Sequence, residues 1–487
     1  MPGDRNPEIQ NVVAPTKPGE SAAAERVTLR EKTALGLGLV TALGSHNVVH
    51  VTAYSIYNVE LGLSPALLGV VLFIQRIWDA ALDPLVGHFS DNFRSRYGRR
   101  RPFLAVAVGP LAVLFAAMWL VPRGATSQVL FGYLLASSML FYAARSLYWI
   151  PLLGLQVETS ADYHERTRLA GFTEIFFAVF AILPTWLFAL VAGPLFPDAV
   201  TGIHAMGLAL GGLFLLTGVA PVFFVHERAY ARVARQQARA PLRESLATVM
   251  RNRPFLLVLG MQAAATFGYN VVGVLGMYIN YYYVYGGDIR RGAIMQGWNG
   301  TFFQVGAIGS VFLYRRLSVS IGKRSTAVAA AAILAGGSAC KWLLFRPEHP
   351  WLQIPIWVFN GAGITGITVM GLSMLADAAD YEEWRSGARR EGVYVSILSL
   401  VSKIAYSTGA LVSSFLLVAT GFEAKLGGAQ AARAMFLMRL FYATFPLVGA
   451  LGAALVIRRY PLTERAAVSI QADLERRRVS PIPRPAH

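Results

Sequence analysis

The chain has 487 residues, of which 55% are hydrophobic and only 15% are charged. A soluble protein of this length would divide into several domains with polar surfaces, whereas this chain repeats apolar runs of about 20 residues. The formal net charge of +17 comes largely from arginines between those runs, which is typical of loops at lipid headgroups rather than of a nucleic-acid-binding protein. The single cysteine, Cys340, excludes an intramolecular disulfide.

Twelve apolar runs, each long enough to span a membrane as a helix, follow one another along the chain. They cover residues 33–58, 65–90, 102–122, 127–156, 168–193, 201–225, 254–284, 292–314, 322–345, 350–376, 391–420 and 433–458. Barrel strands need only about 10 alternating residues, so the length of these runs favours helices. The sequence predicts an all-α membrane protein with twelve transmembrane helices.

Basic residues are concentrated in the loops after the even-numbered runs and are sparse in the other loops. Because positive residues mark the cytoplasmic side, we expect both termini in the cytoplasm and a multi-pass protein of the inner or plasma membrane. The predicted divisions are a cytoplasmic tail (1–30), an N-terminal six-helix half (31–225), a cytoplasmic linker (226–253), a C-terminal six-helix half (254–460) and a second cytoplasmic tail (461–487), in part helical around Glu464 to Arg478.

A short pattern recurs in the two halves. The triplet GRR at 98–100 follows the second run, and GKR at 322–324 follows the eighth. Parallel halves related about the membrane normal are the mark of the major-facilitator architecture, which places the substrate site at the midplane between the halves. The recurrence therefore favours a major-facilitator fold.

The second run carries Arg76, Asp79 and Asp83. At roughly 100° per residue these positions fall within about 60° of one another, so one face of the helix is ionic. A charge at mid-bilayer costs about 2.5 kcal/mol or more and usually faces an interior or a watery cavity. We interpret this face as the wall of a transport pathway, the alternative being a structural ion pair between Arg76 and Asp79. Two acids with one base leave surplus negative charge, which would attract a cation.

Three stretches resemble one known family. Residues 76–103, RIWDAALDPLVGHFSDNFRSRYGRRRPF, resemble the second helix and following loop of the glycoside-pentoside-hexuronide:cation symporters, a melibiose permease-like family of the major facilitator superfamily. Residues 375–414 resemble that family's tenth-to-eleventh connection and eleventh helix, and residues 277–288 resemble the end of its seventh helix. The WDxxxDP and DxxDYxEW patterns are long and correctly placed, so the chain is identified as a member.

The resemblance implies roles for four residues. Asp79 and Asp83 stand at the places of the two acids that bind the coupling cation and the sugar. Arg76 matches the family's arginine one turn earlier and would orient the acids. Lys403 matches the lysine of the eleventh helix and would couple loading of the anionic site to closure.

Three other positions depart from the family pattern. His46 or Asn47 replaces an acid in the first helix, Trp149 replaces an acid in the fourth, and Glu174 lies at or near the place of an arginine in the fifth. Sodium needs several oxygen ligands, and the change to Trp149 removes one, whereas a proton needs a single carboxylate. Both H⁺ and Na⁺ therefore remain candidates for the coupling ion, and uncoupled transport is a further alternative.

The departures suggest further contacts. Arg145 lies one turn before Trp149, and an unpaired charge in a span is expensive, so we expect Arg145 and Glu174 to form a pair between the fourth and fifth helices. His46 and His50 share a helix face; they could relay protons, bond to substrate or simply pack, and a metal site would need a third ligand.

A second charged cluster is predicted at the cytoplasmic ends of the helices. Asp377 and Asp380 end the tenth run, and Arg99 and Arg100 follow the second. Salt bridges between such groups could close an inner gate and bias a two-state equilibrium. Ordinary surface ion pairs are the alternative.

These observations predict a secondary active transporter that moves a glycoside with H⁺ or Na⁺ by alternating access. The alternatives are a symporter of lysolipids or other amphiphiles, and a sensor that binds substrate without transporting it. We find no nucleophile motif or phosphate loop and expect no enzyme activity. We expect no cofactor and no metal site, a small-molecule substrate, contact with membrane lipids, no nucleic-acid partner, and a monomer.

Overall fold

The computed structural model describes residues 27–159, 163–226, 249–387, 391–423 and 426–479. These residues are predominantly helical. They contain eleven helices long and apolar enough to span a membrane, and the one of 56 residues is divided by a kink at Gly322, which gives the twelve predicted spans, followed by a short helix. The helices are α1 (Leu29–Glu60), α2 (Pro65–Asn92), α3 (Arg101–Trp119), α4 (Ser127–Glu158), α5 (Tyr163–Phe180 and Leu183–Val191), α6 (Ala199–Phe224), α7 (Arg253–Val284), α8 (289–321), α9 (323–344), α10 (Pro350–Ser386), α11 (Glu391–Ala419), α12 (Ala432–Ile457) and α13 (Glu464–Val479).

The predicted linker and tails fall mostly outside the described residues, at 1–26, 227–248 and 480–487. Because twelve spans are an even number, α1 begins and α12 ends at the same face of the bundle, which we call the terminal face. The opposite face is the outer face. The helix Glu464–Val479 lies where the sequence predicts helix beyond the last span.

The boundary between α8 and α9 is a kink rather than the predicted loop. Residues 289–344 stay helical throughout except at Gly322, whose φ of 79° and ψ of 160° break the helix. Glycine reaches this region without the clash that a Cβ would cause. One long helix is therefore divided into two spans at a single residue.

Local signals explain where several helices begin. Thr28 caps α1 in a capping box, because its hydroxyl accepts from the backbone N–H of Glu31 while the Glu31 carboxylate accepts from the N–H of Thr28. Pro65 begins α2, where its missing N–H costs nothing. Asn252 caps α7 by accepting from the Phe255 N–H at 3.2 Å.

Glycines allow close helix packing in the C-terminal half. A Cβ on Gly361 of α10 would lie 2.1 Å from the Phe303 carbonyl oxygen of α8, and one on Gly366 would lie 2.3 Å from the Tyr314 ring. In a membrane, where lipid is as apolar as leucine, such close contacts drive helix association.

The two halves, α1–α6 and α7–α12, meet along two helix pairs. In one pair, α5 and α8, Trp186 donates to the Thr301 hydroxyl at 3.0 Å, and Gly300 leaves no room for a Cβ beside Thr185. In the other, α2 and α11, Gly69 packs directly on Ser414. The contact of Gly69 with Ser414 lies toward the outer face, about three helical turns from Asp79 on α2.

A further meeting place lies toward the outer face, where α1 packs on α7 and α11. There the Tyr54 hydroxyl lies 2.6 Å from that of Ser414, and Tyr278 bonds to Asn58. Both α1 and α7 become π-helical here, over Tyr54–Glu60 and Ile279–Val284. Single π-helical turns frequently occur at functional sites. We call this zone the outer contact and define it by Tyr54, Ser55, Asn58, Tyr278, Tyr281 and Ser414.

Candidate functional site

Asp79 lies at the centre of an ionic cluster in the bundle interior. Its side chain is fully buried on α2. Oδ2 accepts from Nη1 of Arg76 at 3.1 Å, and Oδ1 accepts from Nη1 of Arg145 on α4 at 2.9 Å. A buried carboxylate without a counterion would be very costly, and here two guanidinium groups compensate it.

Asp83, one turn further along α2, joins the two halves. Its Oδ2 accepts from Nζ of Lys403 on α11 at 2.6 Å. Its Oδ1 accepts from the hydroxyl of Ser146 at 2.9 Å, and that hydroxyl also lies 3.3 Å from Oδ1 of Asp79. Ser146 therefore links the two acids, and Lys403 connects them to the C-terminal half.

Arg145 is held from three sides. Besides its bond to Asp79, its Nε donates to the carbonyl oxygen of Ala42 at 2.8 Å. Ala42 lies in a π-helical turn of α1, Val40–Gly44. The guanidinium carbon also lies 5.9 Å from the centre of the Trp149 ring, within the range of a cation–π contact.

The expected pair between Arg145 and Glu174 is not formed. Arg145 turns toward α2 and pairs with Asp79 instead, while Glu174 is exposed on α5 and has no ion-pair partner among the described residues. The physical reason is burial: Asp79 is inaccessible and needs a counterion, whereas an exposed carboxylate does not. The prediction that Arg145 must have a partner was correct, but the partner was wrong.

His46 borders a small cavity beside the cluster. Its Nδ1 lies 2.7 Å from the Tyr142 hydroxyl, and its Nε2 lies 3.5 Å from Nη1 of Arg76. Asn47 is half-buried and makes no side-chain hydrogen bond within the described residues. The His50 ring packs at 4.6 Å on Tyr406 of α11.

The cavity measures about 20 Å³ and lies between the halves. Its lining comprises His46, His50, Leu72, Gln75, Arg76, Tyr142, Tyr406, Ser407 and Ala410. A second cavity, of about 510 Å³, lies beyond the outer contact and includes Glu60, Asp198 and Arg290 in its walls. We assign the site to the smaller cavity, because it is lined by Arg76, the partner of the buried Asp79, whereas the larger cavity is an open vestibule.

The charge of the cluster differs from the expectation. The sequence predicts surplus negative charge on α2, whereas the cluster holds three cations, Arg76, Arg145 and Lys403, around the two carboxylates. The formal net charge of the cluster is therefore +1. The difference of two charges comes from Arg145 on α4 and Lys403 on α11, which join the three ionised groups of α2.

Comparison with known proteins gives consistent matches over nearly the whole chain. The family described as "MFS/sugar transport protein" matches residues 34–464. The chain belongs to this family. The match also confirms the resemblance to the glycoside-pentoside-hexuronide:cation symporters, and it makes the protein a transporter rather than an enzyme.

Individual relatives support the same conclusion. The isoprimeverose transporter of Lactiplantibacillus pentosus is 25% identical over 95% of this chain and 94% of its own length. The glucuronide carrier protein homolog of Escherichia coli is 26% identical over 87% of this chain and 90% of its own. Among solved structures, a bacterial homolog of the human lysosomal transporter Spinster, inward-facing and unoccupied, has a TM-score of 0.64 at 14% identity and covers 91% of this chain and 98% of its own, which shows the fold alone.

The residues predicted to form an inner gate lie at the terminal face of this transporter. Arg99 and Arg100 both contact Glu158 of α4, and Nη1 of Arg100 donates to Ser90 at 2.8 Å. In the other half, both oxygens of Asp377 accept from Nζ of Lys323 at 2.8 Å. Each of these contacts lies within one half, so the gate remains a prediction about a second conformation.

Asp380 lies one turn beyond Asp377 on α10. Its Oδ2 accepts from Nε2 of Gln471 at 3.1 Å, which attaches α13 to the end of α10. This contact also lies within the C-terminal half and its following helix.

Several site groups were missed from the sequence. Ser146 follows Arg145 directly, and a polar pair within an apolar run was the available signal. Tyr406 lies one turn after Lys403 and shares its helix face. The Ala42 carbonyl gave no signal, because its acceptor role arises from a backbone π-turn in a run of small and apolar residues.

Proposed function

We propose that this transporter carries a glycoside, or a similar small polar solute, by symport with a cation through alternating access. The observation that carries the proposal is the ion pair between Asp83 and Lys403, which joins the halves at 2.6 Å beside the polar cavity. Two relatives named as an isoprimeverose transporter and a glucuronide carrier homolog support the solute class.

The cavity offers the contacts that a sugar needs. Oε1 of Gln75 and Nε of Arg76 are buried without a hydrogen-bond partner in the described part of the chain, and both residues line the cavity. Buried polar groups are nearly always satisfied, so these two favour a polar ligand. The ring of Tyr406, which lines the cavity, supplies a flat apolar face for the C–H face of a pyranose.

Binding such a solute requires movement of the halves. A cavity of about 20 Å³ holds about one water molecule, far less than a sugar needs. The solute must therefore separate α2 from α11 at the level of the cluster, which stretches the bond between Asp83 and Lys403. A ligand that replaces the partners of these charges can shift the equilibrium between the two arrangements by its differential affinity.

We place the terminal face in the cytoplasm of an inner or plasma membrane. The basic loops after the even-numbered helices support this orientation, because Arg99 and Arg100 after α2 and Lys323 after α8 lie on that face. Solutes would then enter through the vestibule of Glu60 and Asp198 on the outer face.

The test is counterflow exchange in proteoliposomes with identical ions on both sides. A panel of labelled glycosides is exchanged against the same unlabelled compounds by the wild type, by Asp83→Asn and by the matched control Asp288→Asn, an acid in an outer loop. We expect exchange of at least one glycoside by the wild type and the control, and loss of it in Asp83→Asn.

Two outcomes would contradict the proposal. Exchange that glycosides fail to inhibit but lysolipids inhibit would make the solute an amphiphile. Binding of a glycoside, measured by tryptophan fluorescence, without exchange would make the protein a sensor.

A further inference from the structure

All four oxygens of the two site carboxylates accept hydrogen bonds from the protein. Asp79 accepts from Arg145 on Oδ1 and from Arg76 on Oδ2. Asp83 receives Ser146 on Oδ1 and Lys403 on Oδ2. The acids expected to bind a coupling cation are thus already engaged by cationic and hydroxyl donors.

This arrangement does not fit a bound sodium ion. Sodium requires several oxygen ligands, and guanidinium and ammonium groups offer only donors. The positive formal sum of the cluster also repels a further cation, and the repulsion is strong in an environment that excludes water. Trp149, in place of a fourth-helix acid, supplies no oxygen.

The guanidinium of Arg145 is held in place by specific contacts with two other helices. The residue is 3% exposed, Nη1 lies 2.9 Å from Asp79, and Nε lies 2.8 Å from the Ala42 carbonyl. The π-helical turn Val40–Gly44 shapes the backbone where Ala42 presents that carbonyl. Two helices, α1 and α2, therefore fix the guanidinium against Oδ1 of Asp79.

We propose that the Arg145 guanidinium takes the place of an alkali cation at Asp79, so that transport by this protein is independent of Na⁺, Li⁺ and K⁺. The inference rests on the proposed function, because it concerns ion dependence of solute exchange. Because Arg145 and Asp79 belong to the same half, rocking of the two halves as rigid units leaves this tethered cation beside Asp79, which then needs no ion from solution. Removing it lowers the formal sum of the cluster to zero and exposes Oδ1 of Asp79, which is the condition under which a sodium ion could bind.

The test compares exchange in sodium chloride with exchange in choline chloride at equal ionic strength, using the glycoside that the wild type exchanges fastest. For the wild type we expect the exchange rate in sodium chloride to equal the rate in choline chloride. For Arg145→Ala we expect sodium to stimulate exchange about tenfold, within the usual range of coupling between two ligands. Arg145→Lys retains a cation and should remain sodium-independent, and Arg123→Ala, at the outer surface, is the matched control.

The outcomes separate this inference from the proposed function. No exchange by the wild type in either salt overturns the proposed function. Wild-type exchange that sodium stimulates overturns the inference alone, as does a folded Arg145→Ala protein whose exchange sodium does not raise. If Arg145→Ala does not fold, thermal unfolding of the wild type decides: a melting temperature raised by sodium relative to choline overturns the inference, and an equal one supports it.

Discussion

Two of the places where the halves of this transporter meet, the central cluster and the outer contact, differ in chemistry. At the centre, Lys403 reaches across to Asp83, and both belong to a cluster of five ionised groups. At the outer contact, neutral hydroxyls meet: Tyr54 bonds to Ser414, and the Tyr281 hydroxyl lies 3.3 Å from that of Ser55. A charged pair can exchange partners with a polar or charged solute, whereas neutral hydrogen bonds mainly hold two surfaces together. The centre is therefore suited to sensing the solute, and the outer contact to closing the path.

The largest effect on transport is expected from removing Lys403, whose charge connects the two halves. Lys403→Gln leaves Asp83 with Ser146 as its remaining donor. Breaking a buried ion pair costs about 3–5 kcal/mol, and partial exposure of both groups lowers this to about 2 kcal/mol, a fall of about 30-fold in exchange rate. Counterflow in proteoliposomes measures the rate, with Arg459→Gln as a control at an exposed cation. Unchanged exchange by Lys403→Gln would refute the role of the pair.

A smaller effect is expected at the outer contact. Tyr54→Phe removes one neutral hydrogen bond, while the Ser414 hydroxyl keeps its bond to the Ala410 carbonyl at 2.9 Å. The loss of about 1 kcal/mol should shift the population toward an outward-open form by about fivefold. In a Cys340→Ser background, labelling of Ser407→Cys by a membrane-impermeant maleimide from the outer face should accelerate about fivefold.

The control is Tyr133→Phe, which removes a hydroxyl that bonds within one half and should leave the labelling rate unchanged. Equal acceleration by Tyr133→Phe would contradict a specific role for the Tyr54 hydroxyl.

The smallest effect concerns Arg145 and Glu174. Because Arg145 pairs with Asp79 and Glu174 is exposed, the effects of Arg145→Ala and Glu174→Ala on exchange and thermal stability should add. Sites without shared partners usually add to within about 0.5 kcal/mol. A double-mutant cycle that gave coupling well above this value would restore the pairing expected from sequence.

The sequence predicts the spans well because apolar length is a strong signal in membrane proteins. All twelve runs correspond to helices, and the ionic face of α2 follows from the helical spacing of Arg76, Asp79 and Asp83. The exceptions are backbone features. The division of residues 289–344 at Gly322 depends on one φ angle, which hydropathy does not report.

The partner of Arg145 could not be predicted from the sequence. The position of Arg145 on α4 gives its face of the helix, but the rotation of α4 relative to α2 and α5 depends on packing of the whole half. Burial then selects the partner, and burial is a tertiary property. The resemblance helped at Lys403, where a shared motif supplied the tertiary information, and no such motif covers Arg145.

If the halves rock about the contact between Asp83 and Lys403, their terminal-face ends must change separation. Spin labels at Arg94→Cys in the N-terminal half and Ser320→Cys in the C-terminal half, in a Cys340→Ser background, report this distance by double electron–electron resonance. We predict two distance populations in nanodiscs, with a shift between them when the fastest-exchanged glycoside is added and another in Lys403→Gln. A single population that neither the glycoside nor Lys403→Gln alters would contradict alternating access through this cluster.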